Sequence, residues 1–115
     1  MAEPIAYGSV KYSETPVKLQ ANQPTPEYGS DILAETLQAM GFKHVFLLPG
    51  SSFRGLHDSL VNHNRNQDPE MIMATHEAIV MAMAHGYAKA SGETALAIVH
   101  DLVGLMTGSV GVYDA

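Results

Sequence analysis

The stretch Met71-Ile72-Met73-Ala74-Thr75-His76-Glu77-Ala78-Ile79-Val80, continued by Met81-Ala82-Met83-Ala84-His85-Gly86-Tyr87-Ala88-Lys89-Ala90-Ser91-Gly92, decides the reading of this chain. Its first four residues are uniformly apolar, as in a strand buried on both faces. Residues 78–90 are rich in alanine and read as a helix, with Gly92 to end it. Between strand and helix stands one carboxylate, Glu77. In open α/β sheets such junctions hold the chemistry, because their side chains project past the strand ends into a crevice. An acid among small and apolar neighbours there is poorly solvated. The bland reading is that Glu77 merely opens a helix and complements its dipole.

Working outward, the same alternation repeats. Ser30 is placed to cap a helix with Asp31 in its first turn, Ile32, Leu33, Leu37 and Met40 on one side, and Gly41 at its end. Residues 44–48 form a short apolar run closed by Pro49-Gly50, which predicts a second buried strand. Ser51 or Ser52 then caps a helix carrying Phe53, Leu56 and Leu60. Residues 62–69 read as a polar loop, 70–74 and 94–99 as strands, and 104–115 as the start of another crossover helix. Helix and strand in alternation predict an α/β fold, a parallel sheet with helical crossovers. Residues 1–28 hold four of the six prolines and no periodicity, and predict an extended or disordered N-terminal arm. Residues 29–115 make a partial domain. Three short strands bury only about 60% of their unfolded surface, and the last residues carry no helix stop, so the expectation is an incomplete sheet within a larger protein.

Composition narrows the function. At 115 residues the chain is one domain at most, and it has no cysteine. The net charge is −6 and the six basic residues are scattered, which argues against a nucleic-acid surface. No apolar run approaches the roughly 20 residues that span a membrane, and the N-terminus lacks a secretory signal. The expectation is a soluble, cytoplasmic protein.

Parallel strands end on one side of their sheet. Leu48-Pro49-Gly50-Ser51-Ser52, Thr75-His76-Glu77 and Val99-His100-Asp101 are therefore predicted to converge, bringing a carboxylate, two imidazoles and two hydroxyls to one crevice. These motifs resemble the N-terminal, pyrimidine-binding domain of thiamine-diphosphate enzymes of the pyruvate decarboxylase, acetolactate synthase and benzoylformate decarboxylase superfamily. The likeness lies in Leu48-Pro49-Gly50 after the first strand and in His76-Glu77-Ala78 running into Met83-Ala84-His85-Gly86-Tyr87-Ala88, closed by Ser91-Gly92. It covers residues 29–115.

The resemblance implies a thiamine-diphosphate-dependent decarboxylase or carboligase acting on 2-keto acids or aldehydes. Glu77 then matches the cofactor-activating glutamate, which exchanges a proton with the aminopyrimidine N1′ and so promotes loss of the proton at C2. Pro49, Gly50 and Thr107 take cofactor-binding positions, Thr107 where an asparagine is usual. Ser51 stands at the substrate-contacting position. His100, twenty-three residues after Glu77, has the spacing of a histidine that relays protons to substrate. Leu105 and Met106 replace smaller residues and predict a bulkier pocket. Magnesium and the diphosphate belong to a separate C-terminal domain whose GDG motif is absent here, and a second subunit (homodimer or homotetramer) completes the site. The alternatives are acetolactate synthase-like carboligation and a non-catalytic interaction module.

Other patterns point elsewhere than to chemistry. His76-Glu77-Ala78-Ile79-Val80 has valine where a zinc protease needs its second histidine, and His85 falls on the opposite helix face, so no metal site is expected within the chain. His76 is read as orienting its turn. His44, His57 and His63 are read as surface or strand-entry residues, and the methionines as core filling. The small-residue stripe Ala78, Ala82, Gly86, Ala90 favours close helix packing, which the resemblance implies at the subunit interface, although alanine's helix propensity alone would also explain it.

Overall fold

Alternating side chains along each strand divide the molecule into two cores. A computed structural model describes Glu14 and residues 24–115. Apart from Glu14 and residues 24–28, the expected N-terminal arm lies outside the described residues. The elements are α1 (Gly29–Ala39), β1 (His44–Leu47), a 3₁₀ turn (Ser51–Phe53), α2 (Arg54–Asp58) running into a π-helical turn (Ser59–His63), β2 (Glu70–Met73), α3 (Glu77–Ser91), β3 (Leu96–Ile98) and α4 (Leu102–Asp114). The sheet has three strands in the order β2-β1-β3, all parallel. Val45 and Leu47 of β1 point to one face, where they meet Met71, Ala34 of α1, and Leu60 and Val61. Phe46 points to the other, where it packs against Val80 and Ala84 of α3. Period-two alternation and helices on both faces are what a buried parallel sheet requires.

The boundaries differ from expectation in instructive ways. Tyr28, not Ser30, occupies the N-cap of α1. Asp31 does the capping, its carboxylate accepting the backbone N–H groups of Glu27 and Tyr28, both at 3.0 Å. Neither serine caps the turn after β1, where Gly50 holds the N-cap. The segment read as a polar loop is largely interior: His63, Asn64, Asn66 and Pro69 are buried. His63 pairs with Glu35 at 2.9 Å, Asn64 donates to the carbonyl of Ala34 at 2.9 Å, and Asn66 accepts from Met71 N–H at 2.6 Å. His63 is therefore a core residue, not a surface one. Glu14 reaches the same region, bonding His57 at 3.0 Å and taking the Asn66 amide on its carbonyl at 2.7 Å.

A topological switch follows from the strand order. The chain leaves β1 for β2 on one side and returns past it to β3 on the other. Open sheets bind ligands where this reversal occurs, beyond the carboxyl ends of the strands.

Candidate functional site

Leu47, Met73 and Ile98 lie in one row across the sheet, since Leu47 is in register with both of the others. From that row the chain runs three residues to Gly50, four to Glu77 and two to His100. The three predicted strand ends thus arrive together.

Glu77 is the first residue of α3 and only 6% exposed. His76 caps the helix, its Nδ1 accepting Ala78 N–H at 3.1 Å, as expected of a residue that orients the turn. The Glu77 side chain turns away from its own helix end toward α4. There Thr107 Oγ1 lies 3.3 Å from Glu77 Oε2. That hydroxyl has one proton, and it also faces the carbonyls of Val103 at 3.0 Å and Gly104 at 3.3 Å. A carboxylate offers about four lone-pair sites. Among the described residues Glu77 has a single, long and shared side-chain donor for all of them.

Glycines let α4 come this close. A Cβ built on Gly104 would lie 2.8 Å from Glu77 Oε1, 3.1 Å from its Cγ and 3.1 Å from His100 Cβ. One on Gly108 would lie 3.2 Å from Met81 Cγ, and one on Gly111 would overlap Met81 Cβ. Spacings of four and three put all three glycines on the face toward α3. This row was readable in the sequence but carried no known chemistry. Leu105 and Met106, expected to fill the pocket, are instead exposed on the outside of α4; Gly104 and Thr107 are what face the carboxylate.

His100 is half-buried where β3 passes into α4, paired through Nδ1 with the exposed Asp101 carboxylate. Its ring lies over Gly50, whose missing side chain leaves the space that the imidazole fills. The Phe53 ring stands 6.4 Å away, tilted by 55°. A side chain at Gly104 would meet both Glu77 and His100, so these two groups share one wall. Ser51 and Pro49 are exposed at the mouth, on the turn beside His100. Ala78, Ala82, Gly86 and Ala90, the small-residue stripe of α3, are exposed in this single chain.

A doubly wound parallel sheet with a buried, under-bonded carboxylate at its switch point defines a small-ligand-binding domain. Residues 28–115 match the family described as "Thiamine pyrophosphate enzyme, N-terminal TPP binding domain". The chain belongs to that family. It is 32% identical to the acetolactate synthase large subunit of Lactococcus lactis over 98 residues, which is 85% of this chain and 16% of that protein. It is 32% identical over 90 residues to acetolactate synthase 2, chloroplastic, of Brassica napus (78% and 14% of the two chains) and 31% identical to acetolactate synthase, chloroplastic, of Arabidopsis thaliana (78% and 13%). The chain thus spans only 13–16% of the length of these curated relatives. No solved structure matches it.

Proposed function

We propose that this chain supplies the aminopyrimidine-binding half of a thiamine-diphosphate site, in an enzyme that acts on 2-keto acids or related carbonyl compounds. The observation that carries the proposal is Glu77: a buried carboxylate whose lone pairs are almost unused among the described residues. Such a group fits a ring nitrogen that must be hydrogen-bonded and must trade a proton. An orphaned acid is costly to bury, so a ligand partner accounts for its presence better than helix-dipole complementarity does.

Bound thiamine diphosphate supplies a nucleophilic carbon for attack on a substrate carbonyl. Glu77 holds and exchanges the proton at N1′. Gly50, Pro49 and Thr107 would be the further residues that hold the aminopyrimidine. His100, fixed by Gly50, Phe53 and Asp101, delivers a proton to the substrate-derived oxygen, and Ser51 at the mouth contacts the substrate. The diphosphate and its magnesium ion are held by a segment outside these residues, with a second subunit closing the site. Decarboxylation of a 2-keto acid accounts for His100 directly. Carboligation is the second reading, supported by relatives that bear the name acetolactate synthase.

The test is Glu77→Gln in the assembled enzyme. Amide replaces acid at nearly unchanged shape, so cofactor affinity largely survives while proton exchange at N1′ is lost. NMR of the cofactor's C2 proton in heavy water should show exchange slowed by about 10²-fold or more, the worth of a positioned proton donor. Exchange at the wild-type rate in a folded variant overturns the role of Glu77.

A further inference from the structure

We infer that Gly104 is a positioning residue for the Glu77 carboxylate, a role that rests on the function proposed for Glu77. Glycine is a poor helix former, so three of them in α4 call for a reason. Gly108 and Gly111 have one in packing, since both face Met81. Gly104 differs from them in kind: the nearest atom to a side chain there is Glu77 Oε1 at 2.8 Å.

A methyl group at 104 must displace something. His100 Cβ, at 3.1 Å, is anchored by the imidazole seated on Gly50, and Gly104 itself is fixed in α4. The movable partner is the Glu77 side chain. Its swing would break the contact with Thr107 and carry the carboxylate off its line. Displacement of about 1 Å at a reacting group can cost about 10²-fold in rate. Gly104 therefore sets where the carboxylate stands without touching any reactant.

The experiment compares Gly104→Ala with Gly108→Ala in the assembled enzyme. Both are glycine-to-alanine changes within α4, but the second meets first the flexible Met81 side chain at 3.2 Å, with Val99 at 3.7 Å and the Glu77 main-chain oxygen at 4.0 Å in ordinary contact. In cofactor-free protein labelled with ¹³C at glutamate carboxyls, the Glu77 resonance is identified by its loss in Glu77→Gln. It should shift in Gly104→Ala and stay in place in Gly108→Ala. In cofactor-loaded protein, C2 exchange should slow by about 10²-fold in Gly104→Ala only. An unmoved Glu77 resonance in Gly104→Ala overturns the positioning role. A moved resonance together with wild-type exchange in Glu77→Gln keeps the positioning role and overturns the parent reading. If Gly104→Ala fails to fold, Glu77→Ala/Gly104→Ala decides: removing the carboxylate should restore folding and melting temperature to those of Glu77→Ala. Failure to restore them means that the methyl collides elsewhere, and the inference falls.

Discussion

Thr107→Val removes the one side-chain donor that the described residues offer to Glu77, while keeping the branched shape of the side chain. Its expected effect is small, and the geometry says why. A hydrogen bond to a charged acceptor contributes about 1.5–3 kcal/mol when short and unshared. Here the distance is 3.3 Å, and the closest acceptor of the single hydroxyl proton is the Val103 carbonyl at 3.0 Å. Threonine in a helix habitually makes that bond to the residue four back. Glu77 receives the proton for only part of the time, so the loss is at most about 1 kcal/mol. At about 1.36 kcal/mol per tenfold, this is about fivefold in rate. Exchange of the cofactor C2 proton should therefore slow by about fivefold or less in Thr107→Val, against about 10²-fold or more in Glu77→Gln. A 10²-fold loss in Thr107→Val would refute the argument, because it would mean that the hydroxyl belongs to Glu77 throughout and that the carboxylate is not held open for a ligand.

His100→Ala should lower turnover by about 10²–10⁴-fold, the range of a positioned acid or base, and leave C2 exchange near the wild-type rate; unchanged turnover would make His100 structural. Asp31 gives a pH prediction. Burial pushes its carboxyl upward, but the Ser59 hydroxyl, the Glu27 and Tyr28 N–H groups and nearby His63 together hold it below its ordinary value of 3.8. A depressed value contributes stability that is fully present above the unfolded value and lost as pH falls through the folded one. Denaturant unfolding of the wild type should accordingly weaken below about pH 4 more steeply than that of Asp31→Asn; parallel acid profiles would exclude Asp31 as the source.

The sheet and its strand ends were legible because buried parallel strands write themselves as apolar runs closed by glycine, proline or an acid. Glu77, Gly50 and His100 came with those runs. The interior around Ser59, His63, Asn64 and Asn66 was not legible. These side chains satisfy backbone and side-chain groups of α1 and β2, and hydropathy treats them as solvent-facing. Arg65, Asn66 and Asp68 adopt positive φ, a conformation most tolerable for short polar residues such as asparagine and aspartate, which the composition of 62–69 signalled only as irregular chain. Gly104 was missed for another reason: its significance depends on which helix it faces, and that is settled by tertiary packing.

β1 is the hydrogen-bonding partner of both other strands, so the site is calibrated by two independent ladders that meet in one ruler. Glu77 is delivered by the β2 ladder and His100 by the β3 ladder, and no direct pairing ties these outer strands, which stand about 10 Å apart at the usual spacing. A slip of one residue in either ladder moves its group by about 3.3 Å and turns every side chain of that strand to the opposite face. The apolar identities of Leu47, Met73 and Ile98 therefore do more than fill a core: they are the alignment marks that keep acid and imidazole at a fixed offset. Small changes in the loops before β2 and β3 can be absorbed only if those marks stay in line.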